Sequence, residues 1–244
     1  MRIITCGSFP SARISFRFAR FLLVLLATRM KADDFHSQRQ DKSLSVQLLC
    51  SPDEVASHAS QIARWTYQSN PEYFNLLFDN ESSAVARLEK WALRRDSEYS
   101  AFDCMIVLDD GVASGVAVAF GGEEQLGRRR ADLFQLFKEL SRIEREQLKS
   151  NLEQVANLAQ PAEPKDFYIR AFTIDPSARG RGLGARLLTE CVQRGFTLGF
   201  SRVRLEVRAD NLPAVRLYER AGFQVIAESE MARDGGRFRT MIKL

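Results

Sequence analysis

The chain has 244 residues, 45% hydrophobic and 27% charged, which suits one ordinary globular domain with extensions and excludes a collagenous or low-complexity chain. Its formal charge of +4 arises at the start. Residues 1–32 hold six Arg or Lys and no acid, so subtracting that +6 leaves −2 for the rest and gives no reason to expect nucleic-acid binding by the body.

Residues 21–27 are apolar, far short of the roughly twenty needed to cross a bilayer, so no membrane span is expected. Thr28, Arg29 and Met30 offer no small-x-small cleavage site. An Arg-rich, acid-free leader also suits organelle import, and translation from Met30 is the other reading. Residues 1–43 are therefore read as a basic extension and 44–244 as the domain. Cysteines 6, 50, 104 and 191 are scattered without a C-x-x-C pair, and His36 and His58 are the only histidines. That argues for reduced thiols and against a disulfide framework, a metal site or a Ser-His mechanism.

Residues 44–50 read as a first strand. Ser51, Pro52, Asp53 and Glu54 then form a helix start, with a cap, Pro at the first position and acids in the first turn. Asn70 and Pro71 break that helix, and helices around 73–78 and 83–94 follow, the latter burying Val85, Leu88, Trp91 and Ala92. Residues 101–108 and 112–120 are strand-like runs joined by a hairpin turn at Asp109, Asp110 and Gly111. The second is built of Ala113, Ser114, Gly115, Ala117 and Ala119, so something packs closely on it.

Residues 123–164 are a helical insertion between the third and fourth strands. Leu133, Leu136, Phe137, Leu140, Ile143, Leu148, Leu152, Val155 and Leu158 recur at helical spacing, giving one amphipathic helix or a bent pair. The domain's own sheet or the rim of its ligand site is the favoured cover for this stripe; a second copy of the chain, as a homodimer, and another partner are the alternatives. Arg128, Arg129 and Arg130 read as a solvated face.

The run 167–174 is rich in strand formers and breaks at Asp175 and Pro176. Arg179, Gly180, Arg181, Gly182, Leu183 and Gly184 follow, and then a helical face of Leu183, Leu187, Leu188 and Val192. Strand, glycine-rich turn and helix start in that order can hold an anion, because the first amides of a helix have no partner inside it. A plain tight turn is one reading. A dinucleotide fingerprint is a second, with Gly180, Gly182, Ala185 and Glu206, but residues 175–179 intervene between strand and first Gly. Residues 202–208 alternate, setting Val203, Leu205 and Val207 on one face and Arg204, Glu206 and Arg208 on the other. A helix over 212–221 and a closing antiparallel pair, 223–228 and 238–244 around Asp234, Gly235 and Gly236, complete the chain.

The string I-D-P-S-A-R-G-R-G-L-G-A-R-L-L resembles the acyl-CoA pyrophosphate loop of the GNAT superfamily of N-acetyltransferases, pattern Q/R-x-x-G-x-G/A, met by Arg179, Gly182 and Gly184. L-E-V-R-A-D-N-L-P-A-V-R-L-Y-E-R-A-G-F is similar to the second half of the same domain, with Asn211, Ala214, Tyr218, Gly222 and Phe223 in order. The resemblance implies an α/β fold of the α+β type, a mixed, mostly antiparallel sheet flanked by helices. It implies acetyl-CoA as cosubstrate without a metal, bound by Phe172, Thr173, Ile174, Arg179, Gly180, Arg181, Gly182, Leu183, Gly184, Ala185 and Asn211. It also implies an amine acceptor, with Tyr67, Tyr73 and Phe74 as candidate contacts.

Within the superfamily the block most resembles ribosomal-protein alanine N-acetyltransferases, which implies Glu206 as base and Tyr218 as acid. Glu206 is flanked on its own face by Arg204 and Arg208, which compete for it as ion-pair partners. The glutamate that histone-type members carry before the loop is absent, the strand reading Phe167, Tyr168, Ile169, Arg170. The expected function is acetyl transfer to a primary amine of a small molecule or peptide. Protein N-terminal acetylation and a non-catalytic acyl-CoA-binding regulatory module are the alternatives. A CoA-dependent enzyme needs a compartment containing CoA, which favours a cytoplasmic protein starting at Met30.

Overall fold

The computed structural model describes residues 44–78, 80–155, 160–230 and 236–244. The chain divides into two units, Met1–Asp41 and Lys42–Leu244, and all described residues fall in the second. The leader with Cys6 and His36, the insertion's Leu158, and Asp234 and Gly235 of the last turn lie outside the described residues.

Among the described residues seven strands form one sheet: β1 (Leu44–Leu48), β2 (Cys104–Asp109), β3 (Val112–Gly121), β4 (Asp166–Ile174), β5 (Arg202–Arg208), β6 (Gln224–Glu230) and β7 (Arg237–Lys243). Their order is β1-β2-β3-β4-β5-β7-β6, and of these only β4 and β5 pair in parallel. The mixed, mostly antiparallel α/β architecture is the one the sequence implies. Strand alternation divides the side chains between two layers. Met105 and Val107 of β2, Phe167 and Ile169 of β4, and Val203, Leu205 and Val207 of β5 pack on the helix α6 (Leu183–Thr197), against Leu183, Leu187, Leu188, Cys191 and Val192. Cys104 and Ile106 of β2, with Val116 and Val118 of β3, face the other way, against Val55, Ala59, Ile62 and Trp65 of α1 (Pro52–Ser69).

Local chemistry sets the boundaries. Ser51 and Glu54 form a reciprocal capping box that starts α1, and Asn70 both ends it and caps α2 (Pro71–Leu77) by accepting from the Tyr73 amide at 3.2 Å. Helix α3 (Glu81–Ala92) buries Ala84, Leu88, Trp91 and Ala92, while Val85 is only partly covered. The expected strand at 101 begins three residues late. Residues Ala101–Asp103 form a 3-10 turn, held by the Ser100 hydroxyl accepting from the Phe102 amide, before β2 starts. Asp110 and Gly111 take φ of 51° and 80°, a two-residue hairpin turn.

The insertion is a pair of helices, α4 (Gln125–Glu139) and α5 (Arg142–Val155). Leu136 and Leu148 are buried, with Phe137, Leu140 and Leu152 beside them, against Tyr67, Phe74, Phe78, Leu88 and Trp91 of α1–α3. The stripe is thus covered by the domain's helical layer rather than its sheet. Ile143 is an exception at 83% exposed. Arg128 and Arg129 are not a solvated face. Arg128 donates to the Ser97 carbonyl at 3.0 Å and bonds Asp103 at 2.5 Å and Glu124 at 2.6 Å, while Arg129 grips Glu98. These contacts fasten α4 to the loop before β2.

Candidate functional site

Ladder pairing between β4 and β5 runs from Asp166 opposite Arg202 to Ile169 opposite Leu205 and ends there. The cause lies one residue on. The β3–β4 register shifts between Ala119, which faces Ile169, and Val118, which faces Ala171, so Arg170 is an extra residue in β4. Such a bulge bends its strand away from a neighbour. On the other edge Gly115 of β3 lets β4 approach closely, since a Cβ there would sit 2.6 Å from the Thr173 carbonyl oxygen. Strand β4 is thereby held against β3 while its seam with β5 opens. The open seam is a cleft of about 570 Å³.

The floor of this cleft is the loop after β4. Asp175 closes it by accepting from the Ser177 amide at 3.0 Å and from the Trp65 indole at 3.2 Å. Gly180 and Gly182 have φ of 78° and 80°, which side chains adopt only with strain, and a Cβ at either would meet nothing within 4 Å. These glycines serve conformation, and the space above them is open. Gly182 is the residue before α6 and carries no side-chain cap. The first bond inside the helix runs from the Arg186 amide to the Gly182 carbonyl, so the amides of Leu183, Gly184 and Ala185 have no acceptor within it. Gly184 is packed instead: its Cβ would lie 3.4 Å from Leu217 and 3.5 Å from Ile174.

Phe172, Thr173, Ile174, Arg179, Gly180, Gly182, Leu183, Gly184, Ala185, Asn211, Glu206 and Tyr218 all line the one cleft. Arg181 does not. Its guanidinium is bonded to Asp109 and its Nε donates to the Ala178 carbonyl, away from the seam. Arg179 Nε donates to the Ile174 carbonyl at 3.0 Å. Asn211 caps α7 (Leu212–Arg220), accepting from the Ala214 amide at 3.3 Å. Of the three aromatics suggested as acceptor contacts, Tyr67 and Phe74 are buried in the helical layer, while the Tyr73 ring lies 5.4 Å from the Arg170 guanidinium.

Glu206 and Tyr218 approach the cleft from opposite faces of the sheet. Tyr218 belongs to the α6 layer, edge-on to Phe172 at 6.1 Å, and burial pushes its hydroxyl well above the usual phenol range. Glu206 points to the α1 side, where Arg204 Nε donates to it at 3.0 Å while that guanidinium also bonds the Pro161 and Gln160 carbonyls. Beside it stands Tyr168, whose hydroxyl is raised first by burial and then by the Glu206 charge. Sequence reasoning passed over Tyr168 and Arg170 as cleft residues; their signal was the strand alternation that sets both on one face of β4.

A parallel seam that parts beside a helix start with open amides is a layout that can seat a diphosphate. The profile of the Acetyltransferase (GNAT) family matches residues 61–223, and the chain belongs to that family of N-acetyltransferases, whose members use acetyl-CoA. A mycothiol acetyltransferase of Corynebacterium aurimucosum is 54% identical over 50 residues, covering 20% of this chain and 16% of that protein. The N-alpha-acetyltransferase RimI of Mycobacterium tuberculosis is 42% identical over 64 residues, 25% of this chain and 37% of that protein. The chain thus spans well under half the length of these curated relatives. In fold, an N-acetyltransferase from Staphylococcus aureus superposes with a TM-score of 0.59 at 16% identity, over 82% of this chain and all of that one. No helix among the described residues is long and apolar enough to cross a membrane.

Proposed function

We propose that the chain moves the acetyl group of acetyl-CoA to a primary amine of a small molecule or peptide, and that the amides of Leu183, Gly184 and Ala185 take the CoA diphosphate. The observation that carries this is the coincidence of two features: those amides have no acceptor inside α6, and their residues line the cleft that opens where the β4–β5 ladder ends. The residues fit the ligand, since the loop is open where Gly180 and Gly182 face solvent and the cleft holds about 570 Å³. Acetyl-CoA supplies an activated acyl group, and the chain's own residues do the rest.

The pantetheine arm runs along the free edge of Phe172, Thr173 and Ile174, with Asn211 beside it. The amine enters from the α1 side, where Glu206 accepts its proton so that nitrogen can attack. Tyr218, kept protonated by burial, gives a proton to the departing thiolate from the α6 side. Passage through the seam is what lets a base and an acid on opposite faces serve one reaction. Titration calorimetry with CoA and thiol release with a panel of amines, polyamines and Ala- or Ser-initiated peptides test the reading. Saturable CoA uptake with release for at least one acceptor is expected. No uptake by folded protein sinks it, and uptake without release for any acceptor leaves a binding module.

A further inference from the structure

On the acceptor side of the seam stands a guanidinium that the proposed transfer does not use. Arg170 is the bulged residue of β4 and lines the cleft, and its side chain is 14% exposed. Since Tyr168 faces Arg204 and Ile169 faces Leu205, the next step along the parted strands sets Arg170 across from Glu206. Tyr168 senses both groups, the Glu206 carboxylate raising its hydroxyl and the Arg170 cation opposing that.

The surroundings of Arg170 hold it without neutralising it. Its one hydrogen bond among the described residues runs from Nη2 to the Tyr99 hydroxyl, and its Nε has no hydrogen-bond partner. The Tyr99 and Tyr73 rings lie 4.6 and 5.4 Å from it. Tyr99 is buried, which keeps its phenol protonated, so it adds no charge. The nearest carboxylate, Glu98, is 3.7 Å away and already committed. Arg129 takes both its oxygens, Nε to Oε2 at 3.3 Å and Nη2 to Oε1 at 3.2 Å. Two guanidinium groups therefore share Glu98, while Glu206, across the parted strands, is already bonded to Arg204 at 3.0 Å. Asp132 does not change this balance, because its oxygens are held by Ser97, the Glu98 amide and Arg94.

Nε is buried and turned to Glu98, but Nη1 makes no hydrogen bond among the described residues, and a guanidinium with free Nη donors favours a planar oxyanion that accepts two parallel bonds. Arg170 and Glu206 stand one step beyond the last ladder pair and line the same cleft, so an acceptor that reaches both must carry its oxyanion close to its amine. We propose that Arg170 binds the carboxylate of the acceptor, and that the amine acetylated is the α-amine of a free amino acid. The inference rests on the proposed transfer and narrows its acceptor. A polyamine would bring a second cation to Arg170, and a peptide N-terminus would bring a neutral amide.

The test compares α-amino acids with their carboxamides and with the decarboxylated amines, using wild-type protein, acetyl-CoA and thiol release. The free acids are expected to show kcat/KM higher by about ten- to a hundredfold, the range of a charge-assisted bond pair. Amides lose the amine proton more readily than the acids, so the preference cannot come from intrinsic reactivity. Arg170→Gln is expected to bring the acid-to-amide ratio close to one, mainly through KM, and Arg170→Lys to restore part of it. A structural role alone would lower stability and leave the ratio unchanged. Equal use of acid and amide by the wild type, better use of polyamines or peptides, or an unchanged ratio in Arg170→Gln overturns the proposal. If CoA binds and no acceptor releases thiol, the transfer reading fails by itself. Calorimetry of free amino acids against CoA-saturated protein then still reads Arg170, with uptake of acids but not amides supporting it and no uptake refuting it.

Discussion

Asp132 gives the clearest quantitative expectation. It lies on α4 with its side chain 4% exposed, accepts from the Ser97 hydroxyl at 3.1 Å and the Glu98 amide at 2.9 Å, and sits 3.4 Å from Arg94. Burial outweighs these bonds and raises its pKa from 3.8 to about 7. An acid that binds its proton more tightly when folded lowers stability as pH rises. The folded form is favoured most below pH 4, loses that advantage between about 4 and 7, and levels off above 7. At about 1.4 kcal/mol per unit, the loss between pH 5.5 and 8 is about 2 kcal/mol.

Asp132→Asn cannot ionise yet keeps an oxygen for Ser97 and the Glu98 amide. Urea unfolding of both proteins at pH 5.5 and 8 should therefore show the variant gaining about 2 kcal/mol on the wild type at the higher pH. Asp96, Asp175, Asp210, Glu54, Glu144 and Glu163 are all lowered by their hydrogen bonds and titrate below this window. Asp103 is raised by burial, but it is present in both proteins and cancels. Parallel stability profiles for the two proteins would show that burial does not hold the Asp132 proton and would refute the argument.

Gly182→Val places a β-branched residue at φ of 80°; it should cost about 1–2 kcal/mol of stability and abolish CoA uptake in calorimetry. Gly195→Ala sets a Cβ 2.8–3.0 Å from the Phe167 side chain and should lower stability by about 1–3 kcal/mol in denaturant titration, with CoA affinity little changed. For Tyr218→Phe, kcat should fall by about a hundredfold or more while CoA still binds, because only the hydroxyl is removed; unchanged turnover would remove Tyr218 as the acid. Glu206→Gln should lower kcat by about a hundredfold with CoA still bound, and unchanged turnover would assign the base elsewhere.

What could be read from the chain alone was whatever depends on neighbours in sequence. The capping box at Ser51, the glycines that must take positive φ, and the alternation of Val203, Leu205 and Val207 are set within a few residues. So is the run of small residues on β3, though its reason, the approach of β4 to Gly115, is not. The charged cluster under the cleft stayed hidden because its members meet over long separations. Arg170 reaches Tyr99 across 71 residues, and Asp132 reaches the Glu98 amide across 34. Arg128 and Arg129 misled for the same reason, since a basic run on an amphipathic helix looks solvated until its buried acids are known. Ile143 kept the spacing of the apolar stripe but stands at the start of α5, where no neighbouring helix covers it.

The excursion of residues 122–165 separates the two strands that pair at the middle of the sheet, so assembling the domain requires a long-range closure. The entropy of such a closure rises only slowly with length. Here the intervening helices lie on α1–α3, so docking them there shortens the closure that the β3–β4 ladder requires. Loosening Leu136 or Leu148 should slow refolding of the central sheet even though neither residue touches it, whereas trimming Ile143 should leave the rate alone.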